Sequence, residues 1–405
     1  MSVPEGMNLL TDFPPTRAAA RARLDAVRPH EYERTRNFLN GAVTGLSPYI
    51  THGIVSLPEV LAGVAERHPL KVQHKFVFEL GWREYFQHVW QARGDGIFSS
   101  IHPGPLPDEA YGDRLPADIR EGATGIPVID MAVQTLYSTG YLHNHARMWL
   151  ASYVVHVRKV HWRIGADWLY GHLIDGDLAS NHLSWQWVAG TGSHKPYLFN
   201  ADNVARYAPP EWHSPGSPMD CSYAVLEQLA RDRRTDSEVN QALCLRSLEP
   251  ALTDSPRLDL SDSGHIGLHI AGRDVWLVHH WNLDDSSAAL PKGTVVLGML
   301  LTDFHHRWPW SQRRWEFVTS RMLQLTPHIW KSDALTFAHV LKSARSVRTT
   351  NNLHLQPWIG QFAECEPAAS LFPTVDRRCD SFSQWWSRAT QKIEAATEWP
   401  RPIRT

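Results

Sequence analysis

The chain is 405 residues long, 43% hydrophobic and 20% charged, with a net charge of -2 at pH 7; this composition fits a folded protein of two or more domains and excludes disordered, collagenous and globally basic classes. Cysteines 221, 244, 365 and 379 form no CxxC pair, no apolar run is long enough for a bilayer, and no signal peptide opens the chain; together these predict free thiols in a reducing, cytoplasmic setting with no membrane partner. The unusual counts are 18 Trp and 23 His: most of those tryptophans belong in a core, and a few are candidates for stacking surfaces or electron carriers.

In chain order, residues 1–29 read as an arm that becomes a short helix. A mainly helical region follows, assigned to 30–215. "LSPYI" places Ser47 as an N-cap before Pro48, and "SLPEV" spaces Ser56 and Glu59 as a capping box. Apolar residues at helical spacing run through "HKFVFELGWREYFQHVW" and "HARMWLASYVVHVRKV". Residues 95–124, rich in Pro and Gly, read as a long surface loop, and "YAPPEWHSPGSPMD" at 207–220 as a domain exit. A connecting segment, 216–259, holds a helical bridge near 222–248. The runs "GLHIAG", "DVWLVHHWNL" and "TVVLGMLLTDF" then look like strands, interleaved with the amphipathic "SQRRWEFVTSRMLQL" and "DALTFAHVLKSA". They predict a small α/β domain at 260–360 with a parallel sheet. Residues 361–405 end in a helix over "FSQWWSRATQKIEAATE". No internal repeat is present.

Three segments carry polar residues where core helices show leucines. Glu79, Trp82 and Arg83 share one helix face at i, i+3 and i+4, and the plain structural reading is a Glu-Arg pair beside a core Trp. Asn144, Arg147 and Met148 repeat the spacing on a helix that is otherwise apolar nearly all round, so Arg147 needs a carboxylate, either Asp175 or Asp177. Asp177, Asn181 and Trp185 follow at intervals of four. Convergence of three such segments points to a large, polar, planar ligand. No GxGxxG or P-loop is present. Thr44 and Ser47 at a helix start offer hydroxyls and free amides to a phosphate instead.

The ordered motifs "LSPY", "ELGWRE", "GIPVIDMAVQTL", "GYLHNHARM", "DWLYGHLIDGDLASN" and "WQWVAGTG" resemble the flavin-binding helical domain of the DNA photolyase and cryptochrome family, over roughly residues 30–205. The resemblance implies a mainly α fold, an all-helical FAD-binding domain followed here by the smaller α/β domain. It implies FAD as cofactor, with Thr44, Ser47 and Arg83 at its pyrophosphate and Tyr32 as a further phosphate contact. Arg147 and Asp175 match the ion pair against the isoalloxazine, Asp177 the acid near the ring edge, and Asn181 the residue facing N5. Glu79, Trp82, Asn144, Met148 and Trp187 match the pocket that receives a flipped cyclobutane dimer. Trp185 and Trp162 match the first two members of the electron-carrying tryptophan chain, with Tyr111 near the place of the third. Glu79 would stabilise the radical anion if burial keeps it protonated.

Several positions depart from the family pattern. Val43 and Gly45 interrupt the phosphate motif, Phe76 stands where Trp is common, and His145 replaces an Arg. The usual N-terminal antenna domain is not evident before the flavin domain, and "VWLVHHWNLDDSSAAL" is faintly similar to its first strand, suggesting a reduced, relocated version. The cysteine separations show no iron-sulfur spacing, so no metal is expected. The implied function is light-dependent repair of cyclobutane pyrimidine dimers in DNA, with a cryptochrome-like photoreceptor as the alternative. A flavoprotein without light chemistry is a third reading. Arg158, Lys159, Arg163 and Lys195 are candidates for the DNA face.

Overall fold

The structure is a computed structural model and describes residues 12–233, 246–285 and 289–391, with Ile393, Ala395 and Glu398. Cys244 and parts of the predicted arm, of the 222–248 bridge and of the C-terminal helix lie outside the described residues. Two compact units are discontinuous in sequence: the first takes Met1–Val27, Thr44–Tyr85 and Ala251–Thr405, the second Arg28–Val43 and Phe86–Pro250.

The second unit is helical, and among its described residues there is no strand. Its principal helices are Pro127–Thr139, Asn144–Ser152, Trp162–His172 and Leu178–Ala189. Trp149, Trp162, Trp168 and Trp185 interlock with Leu136, Leu150 and Leu169 in one core, and Trp187 is the exposed tryptophan among the described residues. The Asn144 helix continues as a π-helical turn, Tyr153–Val157, a widening that often marks functional segments. The stretch 95–124 is not the surface loop predicted. It contains the 3-10 turns Gly94–Phe98 and Asp108–Ala110 and the helix Ala117–Arg120, and it buries Ile97, Phe98, Leu106, Leu115 and Ile119. Those apolar residues, spaced between the prolines and glycines, tie it to the core.

In the first unit the strands are β1 (Leu252–Thr253), β2 (Asp274–Val278), β3 (Val295–Leu301), β4 (Trp310–Ser311), β5 (Ile329–Ser332), β6 (Ser346–Thr350) and β7 (Glu364–Glu366). Five form a parallel sheet in the order β5-β3-β2-β6-β7, while β1 and β4 make a separate antiparallel pair. Registers such as Val275 with Val295 and Gly298 with Ile329 put near-continuous apolar runs at the sheet centre, as a sheet covered on both faces requires. The chain winds outward from β2 in one direction and returns to β6 on the other side, a doubly wound topology.

Two local expectations are corrected here. "GLHIAG" is not a strand: Ser263–Ile270 is a helix, because Asp262 caps it by accepting from the His265 N–H at 2.9 Å, and Ile266 and Ile270 bury one face at i, i+4. Ser47 is the first helical residue of Ser47–Thr51 and Leu46 holds the N-cap position, so Pro48 sits one place further in. The capping box of Ser56 and Glu59 forms as read.

Candidate functional site

In the second unit, the Asn144 helix and the turn before Asp177 bring Arg147 and Asp175 together. Arg147 Nη2 donates to both Asp175 oxygens at 2.9 and 2.8 Å, its Nε donates to the Leu142 carbonyl at 2.7 Å, and the guanidinium stands 5.5 Å from the Tyr141 ring. The Asp175 side chain is 4% exposed, so the pair meets the requirement that a buried carboxylate be matched. Asp177 has a different role. One of its oxygens caps the helix Leu178–Ala189 by accepting from Ser180 N–H, and both oxygens accept from Gln87 Nε2 at 3.2 and 3.0 Å. One turn on, buried Asn181 donates its amide to the Ala166 carbonyl at 2.8 Å.

Trp185 is 2% exposed and lies against Gly165, where an added Cβ would enter its ring. Trp162, also 2% exposed, donates Nε1 to Ser100 Oγ at 3.0 Å. From Trp162 the His161 ring is 5.7 Å away and the Tyr111 ring a further 6.3 Å. Reciprocal backbone bonds, Gly112 N–H to Lys159 O and His161 N–H to Gly112 O, hold that string in place. Burial pushes the Tyr111 phenol up to about 12.

The substrate-class residues of this unit are accessible. Asn144 is exposed with its amide 3.8 Å from Met148 Sδ, Met148 is half-buried, and Trp187 is 43% exposed with its ring against Tyr197 at 5.6 Å. Tyr32, on the helix Pro29–Thr35, is half-buried. A cleft lined by Arg28, Glu31, Thr35 and Phe38 opens on that helix and is lined by none of the predicted residues. His143, missed in the sequence, caps the Asn144 helix; burial first, then His145 and Arg147, push its imidazole down to about 3.

In the first unit, Thr44 Oγ1 accepts from Leu46 N–H at 3.2 Å, and Ser47 opens the next helix, half-buried. Gly45 between them has φ +60°, so the residue read as an interruption of the motif is the one that allows the chain to turn there. Arg83 Nη1 donates to Thr51 Oγ1 at 3.0 Å. Glu79 is ion-paired with Lys75 at 3.1 Å, so the condition of isolation by burial is not met in this arrangement. Trp82 stacks on Phe382 of the helix Phe382–Ala389, with centroids 4.1 Å apart and planes at 12°. Nearby, Glu84 accepts from the N–H groups of Leu371 and Phe372 and from Ser370 Oγ, and burial pushes its carboxyl up to about 6.

The basic set is corrected. Lys159 is 1% exposed at φ 51°, donating Nζ to the His156 and Leu229 carbonyls, Arg158 pairs with Asp118 at 2.6 Å and Arg163 with Asp167 at 2.5 Å. These three stabilise the unit internally, and Lys195 alone of the four is exposed.

A flavin requires donors and acceptors along a ring edge and cations or hydroxyls for its diphosphate. In the second unit Arg147, Asp177 and Asn181 are of the first kind, and in the first unit Thr44, Ser47 and Arg83 are of the second, so the donor chemistry within each unit fits its part of such a group.

Residues 76–211 match the family model for the FAD binding domain of DNA photolyase. The helical segment that positions Arg147 and Asp175 is therefore a flavoprotein domain whose cofactor is FAD. The chain is 37% identical to the deoxyribodipyrimidine photo-lyase of Streptomyces griseus, over 40% of this chain and 36% of that protein. It is 34% identical to the photo-lyase of Escherichia coli K12, over 43% and 38%, and 30% identical to cryptochrome DASH of Gloeobacter violaceus, over 40% and 34%. The solved cryptochrome of Synechocystis sp. PCC6803 aligns over 47% of this chain and 43% of its own, at 28% identity and a TM-score of 0.42. These matches make the segment 76–211 similar to the FAD-binding domain of the photolyase/cryptochrome family and take in only part of the chain. The chain spans between 34% and 38% of the length of these three curated relatives. Among the described residues no helix is long and apolar enough to cross a membrane.

Proposed function

We propose that this chain is a blue-light-dependent flavoprotein that acts as a deoxyribodipyrimidine photo-lyase, repairing cyclobutane pyrimidine dimers in UV-damaged DNA. The observation that carries the reading is the fixed Arg147–Asp175 pair within a matched FAD-binding domain whose Asn144, Met148 and Trp187 are reachable from solvent. Bound FAD supplies light-driven one-electron chemistry that no side chain provides. With FAD bound, Arg147 would favour negative charge on the ring and Asp177 and Asn181 would meet its edge; Thr44, Ser47 and Arg83 in the first unit, and separately Tyr32 in the second, are the groups suited to phosphate. Asn144 and Glu79 are hydrogen-bonding groups for a base edge, while Trp82, Trp187 and Met148 replace the stacking that a flipped dimer loses. Buried Trp185 and Trp162 form an inner electron route and Tyr111 is the next ring outward.

The division read from the sequence, 30–215 for the flavin domain and 260–360 for the α/β domain, is part of this proposal. A second reading, a photoreceptor that binds FAD without repairing DNA, is favoured by the Phe382 ring that covers one face of Trp82 and by the cryptochrome DASH relative. One experiment separates them. The purified protein is photoreduced and incubated under blue light with an oligonucleotide containing thymine dimers, and ultraviolet absorbance is followed. Recovery of thymine absorbance supports repair, photoreduction without recovery supports the photoreceptor, and a colourless protein defeats both.

A further inference from the structure

The indole of Trp162 is buried, yet its N–H leads toward the surface. Nε1 donates to Ser100 Oγ at 3.0 Å, and the Ser100 hydroxyl lies 3.3 and 3.4 Å from the two Asp108 oxygens. Ser100 is half-buried and the Asp108 side chain is 57% exposed, with His161 Nε2 3.7 Å from the same carboxylate. A hydroxyl accepts one hydrogen bond while donating another, so the three groups form a string from the core to water. The contacts to Asp108 are long for O–H···O bonds, and the exposed carboxylate closes them by moving roughly half an ångström.

Both tryptophan-bearing helices hold the serine in place. Gln186, fully buried and next to Trp185 on the helix Leu178–Ala189, donates Nε2 to the Ile97 carbonyl at 2.8 Å and accepts from the Ile101 N–H at 2.9 Å. Arg163, next to Trp162, donates to the Phe98 carbonyl at 3.1 Å. A carbonyl would satisfy the indole N–H as well, but it could not hand a proton on. Tyr111 has no comparable exit. Among the described residues no side chain accepts from its hydroxyl, and burial first, then the Asp108 charge, push its phenol up to about 12.

We propose that Ser100 and Asp108 form the proton exit of Trp162, an inference that rests on the Trp185–Trp162 electron route of the proposed function. An indole that gives up an electron becomes a far stronger N–H acid. When Trp162 gives an electron through Trp185 to light-excited, oxidised FAD, its Nε1–H bond breaks, that proton bonds to Ser100 Oγ, and the serine's own proton passes to an Asp108 oxygen. Trp162 has then lost one electron and one proton, and Asp108 has gained the proton. The neutral indolyl radical cannot take its electron back without recovering a proton, so the exit slows the return of charge.

The test is transient absorption after a blue flash on the full chain with its oxidised flavin, since the indolyl cation and the neutral radical have distinct visible bands. The parent is expected to convert cation to neutral radical, more slowly in deuterium oxide. Ser100→Ala and Asp108→Asn are expected to slow that conversion by about a hundredfold, the lower range for a positioned acid–base group, while Ser100→Thr, which keeps the hydroxyl, restores it. Melting curves establish that each variant is folded, and Asp108→Asn, at an exposed side chain, tests the exit even where Ser100→Ala does not fold. Conversion at the parent's rate in Ser100→Ala or Asp108→Asn, or a threonine variant as slow as the alanine one, would overturn the exit and leave the electron route standing. A tyrosyl radical in place of the neutral indolyl one would overturn it in favour of Tyr111, and a flash that yields no tryptophan radical would overturn exit and route together.

Discussion

Arg147 shows what a single side chain is required to do. Its forked donors fix Asp175, whose side chain is 4% exposed, while Arg147 itself is 23% exposed. Arg147→Ala leaves that carboxylate buried and uncompensated, a loss of roughly 3–5 kcal/mol for a fully buried pair; partial exposure of the arginine places the expected loss at the lower end. Arg147→Lys keeps the charge but not the planar fork, so it should hold an intermediate stability and retain less flavin. Urea unfolding together with flavin content after gel filtration checks both, and a lysine variant equal to the parent on both counts would remove the fork from the account. This pair was legible in the sequence because a buried charge restricts its own partners to carboxylates. The bonds from Gln87 to Asp177 and from Arg83 to Thr51 were not, because neutral amides and hydroxyls accept many partners. Phe382 beside Trp82 was still less legible: an aromatic residue in an amphipathic tail says that it is buried, not against what.

At the scale of elements, helix signals with a chemical cause were the most readable. The Ser56 capping box forms, whereas "GLHIAG" misled because a short apolar run has no clear period and its Asp262 cap lies outside the motif. Gly165 offers a test of packing between helices. An exposed helical glycine gains roughly 0.5–1 kcal/mol on replacement by alanine, but here the new methyl would enter the buried Trp185 ring. Overpacking of about 1–3 kcal/mol should prevail, so Gly165→Ala is expected to lower the melting temperature and alter the Trp185 emission. A stabilised variant would show that the helix pair is looser than its geometry.

The sheet supplies a second argument at this scale. Ligands of doubly wound sheets bind where the winding reverses, here beyond β2 and β6. That crevice is filled by the chain: Asn282 Oδ1 accepts from His279 N–H, its Nδ2 donates to Leu277 O and Thr349 Oγ1, and Trp281 stacks on His354 at 4.2 Å. His52 Nδ1 and the His280 carbonyl meet at 2.6 Å, and Gly53, at φ +65°, passes too close to the Trp281 backbone to carry a side chain. Denaturing the purified protein should therefore release FAD and no second chromophore from this sheet. A second pigment lost on opening the crevice by Asn282→Ala would contradict this.

For the whole molecule, buried histidines decide the response to acid. Burial pushes His143 down to about 3 and His156 and His279 to about 4, and it holds His280 and His305 well below the ordinary imidazole range. Each is neutral in the folded chain and gains a proton on unfolding once the pH is below about 6.5. Because the folded value is the lower one, this stability is present above about pH 6.5 and is lost as the pH falls toward the folded values. Each group contributes a slope of up to about 1.4 kcal/mol per pH unit in that window. Glu84, raised to about 6 by burial, acts in the opposite sense between its unfolded and folded values, but it is one group against five. His143 and His156 belong to the second unit and His279, His280 and His305 to the first, so both units should share the acid lability. Urea midpoints measured from about pH 8 down to 5 should be flat at first and then fall steeply below about 6.5. His279→Asn, which keeps a hydrogen-bonding side chain but cannot titrate, should shallow that fall while costing stability at neutral pH. A parent profile that stays level through pH 5 would mean that these imidazoles reach water in the folded chain, and that the burial assigned to them is wrong.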